Sequence, residues 1–137
     1  MIVFVDTNVL LDVLVERQPF YDNSAHVWTL AEKGELQAFV SVLSFPNAAY
    51  VLRKQGRQAV RRALGLLQAV FHSVPLDEYL LAQALESDLP DYEDALQYYS
   101  ALRAKATCLI TRNIGHFPSD DLQVQTPQDF LAMHFSE

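Results

Sequence analysis

The sequence predicts an α/β fold in which helices cover both faces of a central parallel sheet. Short apolar runs rich in β-branched and aromatic residues alternate with longer segments of helical spacing, which is typical of repeated strand–helix–strand units. Two of these runs are followed directly by polar residues, as expected where strands end at a ligand-binding edge. No repeat or low-complexity tract interrupts the pattern, so we expect one domain over residues 1–137.

Five short apolar runs are predicted strands, because each is shorter than a stable helix and favours residues that fit a pleated sheet. In chain order they are residues 2–5, 37–41, 70–74, 107–111 and 122–125. The first run ends at Asp6, and its continuous apolar character is typical of a strand buried on both faces. Since helical segments separate successive strands, we expect the strands to run parallel and to place ligands at their carboxyl ends.

The segments between these strands carry apolar residues at helical spacing. In chain order the predicted helices cover residues 8–16, 20–33, 45–52, 58–69, 76–85, 91–104 and a closing segment through residue 133. Gly34 is predicted to stop the second helix, and Ser44 to cap the third. Pro90 is predicted to open the sixth helix, which residues 91–104 continue, and Thr126 begins a capped start for the last.

The charge of the chain is uneven. The net charge is −7, yet half of the ten Lys and Arg residues fall in one segment, which we call the basic stretch: Arg53, Lys54, Arg57, Arg61 and Arg62. An acidic chain does not favour binding to nucleic acid, so only this stretch predicts a local basic face that could do so. The alternative is an ordinary solvated helix surface.

The single cysteine and the N-terminus bear on location. Cys108 lies in an apolar run, where a free thiol behaves as a small buried hydrophobe, and this fits a reducing cytoplasm. The apolar residues before Asp6 are too few for a signal peptide or a membrane span. We therefore expect a soluble, cytoplasmic protein that does not enter a membrane.

Three polar groups are predicted to meet at the carboxyl edge of the sheet. They are residues 6–8 after the first strand, residues 91–94 at a helix start, and residues 111–113 after the fourth strand. Carboxylates brought together repel one another unless a cation lies between them, and hard oxygen ligands suit Mg²⁺ or Mn²⁺. Each group also has a purely local explanation, since Asp and Asn are common in helix caps and turns.

The motifs, taken in order, are more specific than each is alone. They are the segment from Ile2 through Asp6, Thr7 and Asn8, then Ser44 with Asn47, Asp91 with Asp94, Thr111 with Arg112 and Asn113, and Thr126 with Pro127. In this order and spacing the chain resembles the PIN domains, and among them the VapC-type toxins. The resemblance extends over nearly the whole chain and implies a strand order of 3-2-1-4-5.

The resemblance also implies a function and a set of site residues. It implies a ribonuclease that uses Mg²⁺ or Mn²⁺, with Asp6 as the first metal-binding carboxylate, Asp94 as the third acidic position and Asp91 as an additional ligand. Asn8 and Thr111 match residues that orient the carboxylates and the metal-bound water.

The resemblance further implies a small antitoxin partner and a homodimer. In the basic stretch, we expect Arg53, Lys54 and Arg57 to hold the RNA backbone, since phosphate contacts from Lys and Arg dominate affinity.

Two departures from the family pattern weaken the predicted site. Asn47 stands where the family usually has a glutamate, and Asn113 stands at the fourth acidic position, followed by His116 and Phe117 where Asp-Phe is common. Each asparagine keeps an oxygen but removes a charge, so we expect weaker metal binding. The alternative function is therefore a PIN-like module that binds RNA or a protein partner without cleaving.

Two other folds with an aspartate after a strand fit less well. A phosphotransferase of the haloacid dehalogenase type requires a second aspartate at the position of Asn8. A response-regulator receiver requires an aspartate after its third strand, and residues 70–75 contain none.

Overall fold

A computed structural model describes residues 1–135 of the chain. All five strands pair in parallel in one sheet of order β3-β2-β1-β4-β5, which confirms the predicted fold class and strand order. The strands are β1 (Ile2–Val5), β2 (Gln37–Ser41), β3 (His72–Val74), β4 (Cys108–Ile110) and β5 (Gln123–Gln125).

Seven α-helices cover the two faces of this sheet. They are α1 (Thr7–Leu14), α2 (Tyr21–Glu32), α3 (Ser44–Leu52), α4 (Arg57–Val70), α5 (Glu78–Glu86), α6 (Tyr92–Arg103) and α7 (Pro127–His134). Alternate residues of β1 point to opposite layers, as the pleat requires. Val3 and Val5 pack in one core cluster with residues of α1, α2 and α7, whereas Phe4 packs in another with Tyr98 and Ala101 of α6. The result is a three-layer sandwich.

Several predicted boundaries differ from the structure. The third strand begins at His72 rather than at residue 70, because α4 continues through Val70. The fourth strand is shorter than residues 107–111. The fifth helix begins only at Glu78, because Asp77 caps it by accepting a 3.0 Å hydrogen bond from the Leu80 amide. The sixth helix begins at Tyr92 rather than at Pro90, because Asp91 occupies the cap position.

The prediction that Ser44 caps α3 is wrong. Ser44 is the first residue of the helix, Leu43 occupies the cap position, and no side chain caps this end. The Ser44 hydroxyl instead forms a buried contact with Thr7, described below. By contrast, Thr126 caps α7 as predicted, because its hydroxyl accepts a 3.1 Å hydrogen bond from the Asp129 amide.

The register of the central strands determines which residues share the carboxyl edge. Val5 pairs with Ile110, and the Asp6 amide donates a 2.9 Å hydrogen bond to the Ile110 carbonyl. Asp6 and Thr111, the residues that follow this pair, therefore lie side by side at the carboxyl ends of β1 and β4.

The burial of Cys108 and the lengths of the helices can be compared with the sequence analysis. Cys108 is buried as predicted, and burial raises the pKa of its thiol to about 12. Among the described residues, every helix is too short or too polar to cross a membrane.

Candidate metal centre

A cavity of about 350 Å³ opens at the carboxyl edge beside β1. We call it the metal-centre cavity, and its lining comes from α1, α3, α6 and the segment after β4. The lining residues are Asp6, Thr7, Asn8, Leu11, Asn47, Tyr50, Val51, Glu93, Asp94, Gln97 and Asn113. The structure thus brings together residues that the sequence separates by about a hundred positions.

Asp6 is the most buried carboxylate in this lining, with 6% of its surface exposed. Its Oδ2 accepts a 2.8 Å hydrogen bond from the Thr111 hydroxyl, and its side chain makes no cap hydrogen bond to α1. Burial raises the pKa of Asp6 to about 6, and the nearby Asp94 adds to this, while the Thr111 hydrogen bond acts in the opposite direction. Asp6 is therefore a carboxylate whose negative charge lacks full compensation.

Asp94 lies in the first turn of α6 and is half-buried. Burial raises its pKa, and the neighbouring Asp91 raises it further. One oxygen of Asp94 lies 3.1 Å from Nδ1 of His116, which partly offsets these effects. Sequence spacing did not identify His116 as a partner of Asp94, because 22 residues separate the two.

The other predicted site residues occupy different positions relative to this cavity. Asp91 is exposed, caps α6 by accepting a 2.9 Å hydrogen bond from the Asp94 amide, and lies outside the lining. Asn47 and Asn113 both line the cavity. Asn8 makes two long hydrogen bonds, to the Thr111 hydroxyl at 3.5 Å and from the Arg112 amide at 3.4 Å.

Three buried polar side chains, Thr7, Ser44 and Gln97, form a hydrogen-bonded trio beside the cavity. The hydroxyl oxygens of Thr7 and Ser44 lie 2.6 Å apart, and Nε2 of Gln97 donates a 3.0 Å hydrogen bond to Thr7. The trio joins α1, α3 and α6, the three helices that carry cavity residues. Thr7 belongs to the polar group predicted after the first strand, and Glu93, which lines the cavity, belongs to the group predicted at a helix start. Neither was given a role of its own, and Gln97 was not predicted at all.

A second buried cluster fixes the segment after β4. Nε of Arg112 donates a 2.8 Å hydrogen bond to Asp12, whose side chain is completely buried in α1. Nη1 of Arg17 lies 3.5 Å from the other carboxylate oxygen, and the Ser24 hydroxyl donates to Asp12 at 3.4 Å. This anchor holds residues 111–113 against α1.

The basic stretch begins directly after α3, and its first residue contacts the cavity lining. Arg53 places its guanidinium 3.9 Å from the ring centroid of Tyr50, which lines the cavity, and donates a 2.7 Å hydrogen bond to the Tyr50 carbonyl. Lys54 and Arg57 are exposed. Within residues 1–135, these three side chains form no ion pair.

The lining has the chemistry of a weak divalent-metal site. Across the described part of the chain, no three His, Cys, Asp or Glu side chains converge closely enough to hold an ion together. Mg²⁺, however, commonly takes one or two carboxylates and keeps several waters. Asp6 and Asp94 supply two carboxylates with raised pKa values, which a cation would stabilise in the charged form.

A buried acceptor in the same lining also fits a bound ligand. Oε1 of Gln97 is buried and has no hydrogen-bond partner within residues 1–135. Buried polar atoms are nearly always paired, so a donor brought by a ligand, such as a coordinated water, would satisfy it. The residues present therefore fit a divalent ion completed by water and by oxygens of the substrate.

The fold and this cavity define an α/β domain with an acidic ligand site at the carboxyl edge of its parallel sheet. The family described as PIN domain matches residues 2–115, so the chain belongs to the PIN-domain family. Ribonuclease VapC1 of Aquifex aeolicus (strain VF5) is similar to it, with 27% identity over 134 residues that cover 93% of this chain and 92% of the relative.

Two solved structures have the same fold. A toxin–antitoxin complex from Klebsiella pneumoniae aligns with a TM-score of 0.68 and 22% identity, over 91% of this chain and 97% of that chain. VapC20 of Mycobacterium tuberculosis, described as a sarcin–ricin loop cleaving toxin, aligns with a TM-score of 0.62 and 17% identity, over 86% and 91%. Both likenesses support the strand order and helix arrangement.

Proposed function

We propose that this protein is a ribonuclease that uses Mg²⁺ or Mn²⁺ and forms the toxin half of a toxin–antitoxin pair. The observation that carries the proposal is the meeting of Asp6 and Asp94, two carboxylates with raised pKa values, in one cavity at the carboxyl edge. Membership of the PIN-domain family and the similarity to a relative named as a ribonuclease support it.

In this proposal Asp6 and Asp94 hold the metal, and Asp91 takes part from the rim through water. A divalent ion in such a site supplies an activated water and stabilises the negative charge that develops on the phosphate. Thr111 holds one oxygen of Asp6 by its 2.8 Å hydrogen bond, which leaves the other oxygen for the ion. Asn8 keeps Thr111 and Arg112 in place beside it.

Two further groups of residues complete the site. Asn47 and Asn113 add neutral oxygens to the cavity wall. Arg53, Lys54 and Arg57 bind the RNA backbone, and the contact between Arg53 and Tyr50 connects this basic surface to the cavity.

A specific observation supports the second candidate function, a PIN-like module that binds without cleaving. Within residues 1–135 no third acidic side chain joins Asp6 and Asp94 closely enough to complete a metal site. Asn47 occupies part of the wall where a carboxylate would add the missing charge. Metal affinity decides between the two functions.

The proposal includes a small antitoxin protein as the partner of this chain. It also includes a homodimer of the chain and a cytoplasmic location. Tyr50, with 64% of its surface exposed, and Val51 form an apolar rim on the cavity. An antitoxin that covers this rim would block the site, and exposed apolar groups of this kind are common in interfaces.

The direct test is cleavage of single-stranded RNA by the purified protein with Mg²⁺, with Mn²⁺ and with EDTA. We expect cleavage that requires the metal and that Asp94→Asn abolishes. The matched control is Asp129→Asn, which removes an exposed carboxylate from the first turn of α7 and should leave cleavage unchanged. RNA binding without cleavage in every metal would support the non-cleaving module instead.

A further inference from the structure

A second cavity, of about 280 Å³, lies at the same edge of the sheet, and we call it the Phe20–Arg112 cavity. Its lining residues are Pro19, Phe20, Asn23, Ser24, Arg112, Thr126, Pro127 and Gln128. Thr126 directly follows β5, and Arg112 is the second residue after β4, so the cavity lies at the carboxyl ends of these strands. Arg112 lines this cavity and Asn113 lines the metal-centre cavity, so adjacent residues of one segment contribute to both.

The walls of the Phe20–Arg112 cavity combine flat surfaces with amide groups. Cζ of Arg112 lies 4.1 Å from the ring centroid of Phe20, and 38% of the Phe20 surface is exposed. Aromatic rings and guanidinium planes are the surfaces on which unstacked bases of single-stranded RNA pack. Asn23 and Gln128 add side-chain amides, which can both donate to and accept from the edge of a base.

The Arg112 side chain is already held in place for such a contact. Its Nε donates to the buried carboxylate of Asp12, while the Phe20 ring supports one side of the guanidinium. Because Arg17 also contacts Asp12, this cluster contains two guanidinium groups for one carboxylate and keeps a net positive charge. That charge suits a ligand attached to a phosphate backbone.

The size of the cavity limits the ligand. Sites for small molecules usually enclose roughly 300–1,000 Å³, and about 280 Å³ lies just below that range. The cavity therefore suits one planar ring system rather than a longer segment of chain.

We propose that the Phe20–Arg112 cavity binds one unstacked base of a single-stranded RNA whose neighbouring phosphodiester lies in the metal-centre cavity. This inference rests on the proposed ribonuclease function and adds a source of specificity to it. The phosphate contacts of the basic stretch carry no sequence information, whereas a base held beside the reacting phosphate selects the position of cleavage.

The test uses short single-stranded RNAs that carry the fluorescent base 2-aminopurine at one position at a time. Binding is measured in EDTA, which keeps the RNA intact, with the unchanged protein and with Phe20→Ala and Phe20→Tyr. The matched control is Tyr79→Ala, which removes an aromatic side chain that is 70% exposed on α5. Thermal melts check that each variant is folded.

We expect one labelled position to be quenched by the unchanged protein and by Phe20→Tyr, but not by Phe20→Ala. Stacking on an aromatic ring contributes enough that Phe20→Ala should weaken RNA binding about tenfold, with Tyr79→Ala unchanged. In cleavage assays, Asn23→Ala and Gln128→Ala should broaden the choice of cleavage position.

Two results would overturn this inference in different ways. If the folded Phe20→Ala protein binds RNA as tightly as the unchanged protein and quenches the same position, the base lies elsewhere, and the proposed ribonuclease function still stands. If the unchanged protein neither binds nor cleaves single-stranded RNA, the proposed function and the base subsite fail together.

Discussion

The Thr111 hydroxyl donates a 2.8 Å hydrogen bond to Oδ2 of Asp6, joining the carboxyl ends of β4 and β1 inside the cavity wall. This bond lowers the pKa of a carboxylate that burial otherwise raises. It therefore helps to keep Asp6 charged, and thus able to bind a cation, at neutral pH.

The first prediction concerns this bond. Protons and metal compete for Asp6, so Mn²⁺ affinity should fall as the pH falls through about 6. Thr111→Val removes a hydrogen bond to a charged group, and we expect Mn²⁺ affinity at neutral pH to drop about tenfold or more. The fall in affinity should also begin at a higher pH. Calorimetric titrations across the pH range measure both effects.

Thr111→Ser is the control for this prediction, because it keeps the hydroxyl and should retain both the affinity and its pH dependence. If Thr111→Val binds Mn²⁺ as the unchanged protein does at every pH, Asp6 does not contact the ion.

The second prediction concerns stability without metal. The pKa of Asp6 is about 6 in the folded protein, against 3.8 for an ordinary aspartate. The folded state therefore binds the proton more tightly, and stability should rise as the pH falls from about 6 towards 4. Ionisation of Asp6 at neutral pH costs at most about 3 kcal/mol.

Asp6→Asn removes this cost, and it should raise the melting temperature by several degrees at neutral pH in EDTA while abolishing Mn²⁺ binding. The difference in melting temperature should shrink near pH 4, where Asp6 is protonated in the folded state and its burial no longer carries a charge. A variant that melts many degrees lower, or that still binds Mn²⁺ as the unchanged protein does, would identify Asp6 as a structural residue.

The third prediction uses Asn47, which lines the cavity with Asp6 and Asp94. Asn47→Glu adds a further carboxylate to the cavity lining, so Mn²⁺ affinity should rise, and repulsion should lower the melting temperature without metal. Gln68→Glu, an exposed change on α4, adds the same charge far from the cavity and should alter neither quantity.

RNA cleavage by the same variants separates the two candidate functions. Cleavage by both the unchanged protein and Asn47→Glu means that the chain is already an enzyme. Cleavage gained only in Asn47→Glu means that the natural chain is a non-cleaving module. Unchanged metal affinity in Asn47→Glu would remove Asn47 from the site.

The fourth prediction concerns the basic stretch. Changing Arg53, Lys54 and Arg57 to Glu should weaken RNA binding and flatten its dependence on salt, since each phosphate contact to a single strand contributes about 0.7 to the slope of log affinity against log salt. Arg61→Glu with Arg62→Glu is the comparison, because these exposed residues lie outside the predicted RNA contact. Equal losses per reversed charge in both variants would mean that only net charge matters.

The sequence predicted those strands and helix caps that depend on interactions between residues close together in the chain. The five strands follow from short apolar runs, and the caps at Asp91 and Thr126 follow from bonds that span three residues. The same logic failed for Ser44, because its partner Thr7 lies 37 residues away.

Long-range pairing likewise hid the supporting residues of the site. Nothing in the sequence around Asp12 indicates that this residue of α1 is buried. In the structure it is buried and pairs with Arg112, 100 residues later. Gln97 bonds Thr7 across 90 residues. Neither spacing nor composition identifies such partners, because they are chosen by the packing of separate helices on the sheet.

The trio of Thr7, Ser44 and Gln97 has a consequence for how the cavity responds to its surroundings. Its members are hydroxyl and amide groups, which neither gain nor lose a proton in the physiological range. A change in pH alters the charge of Asp6 and Asp94, whose pKa values are raised, but it does not titrate the groups whose hydrogen bonds join α1, α3 and α6. We therefore expect the spacing of these three helices to stay the same when the charge in the cavity changes.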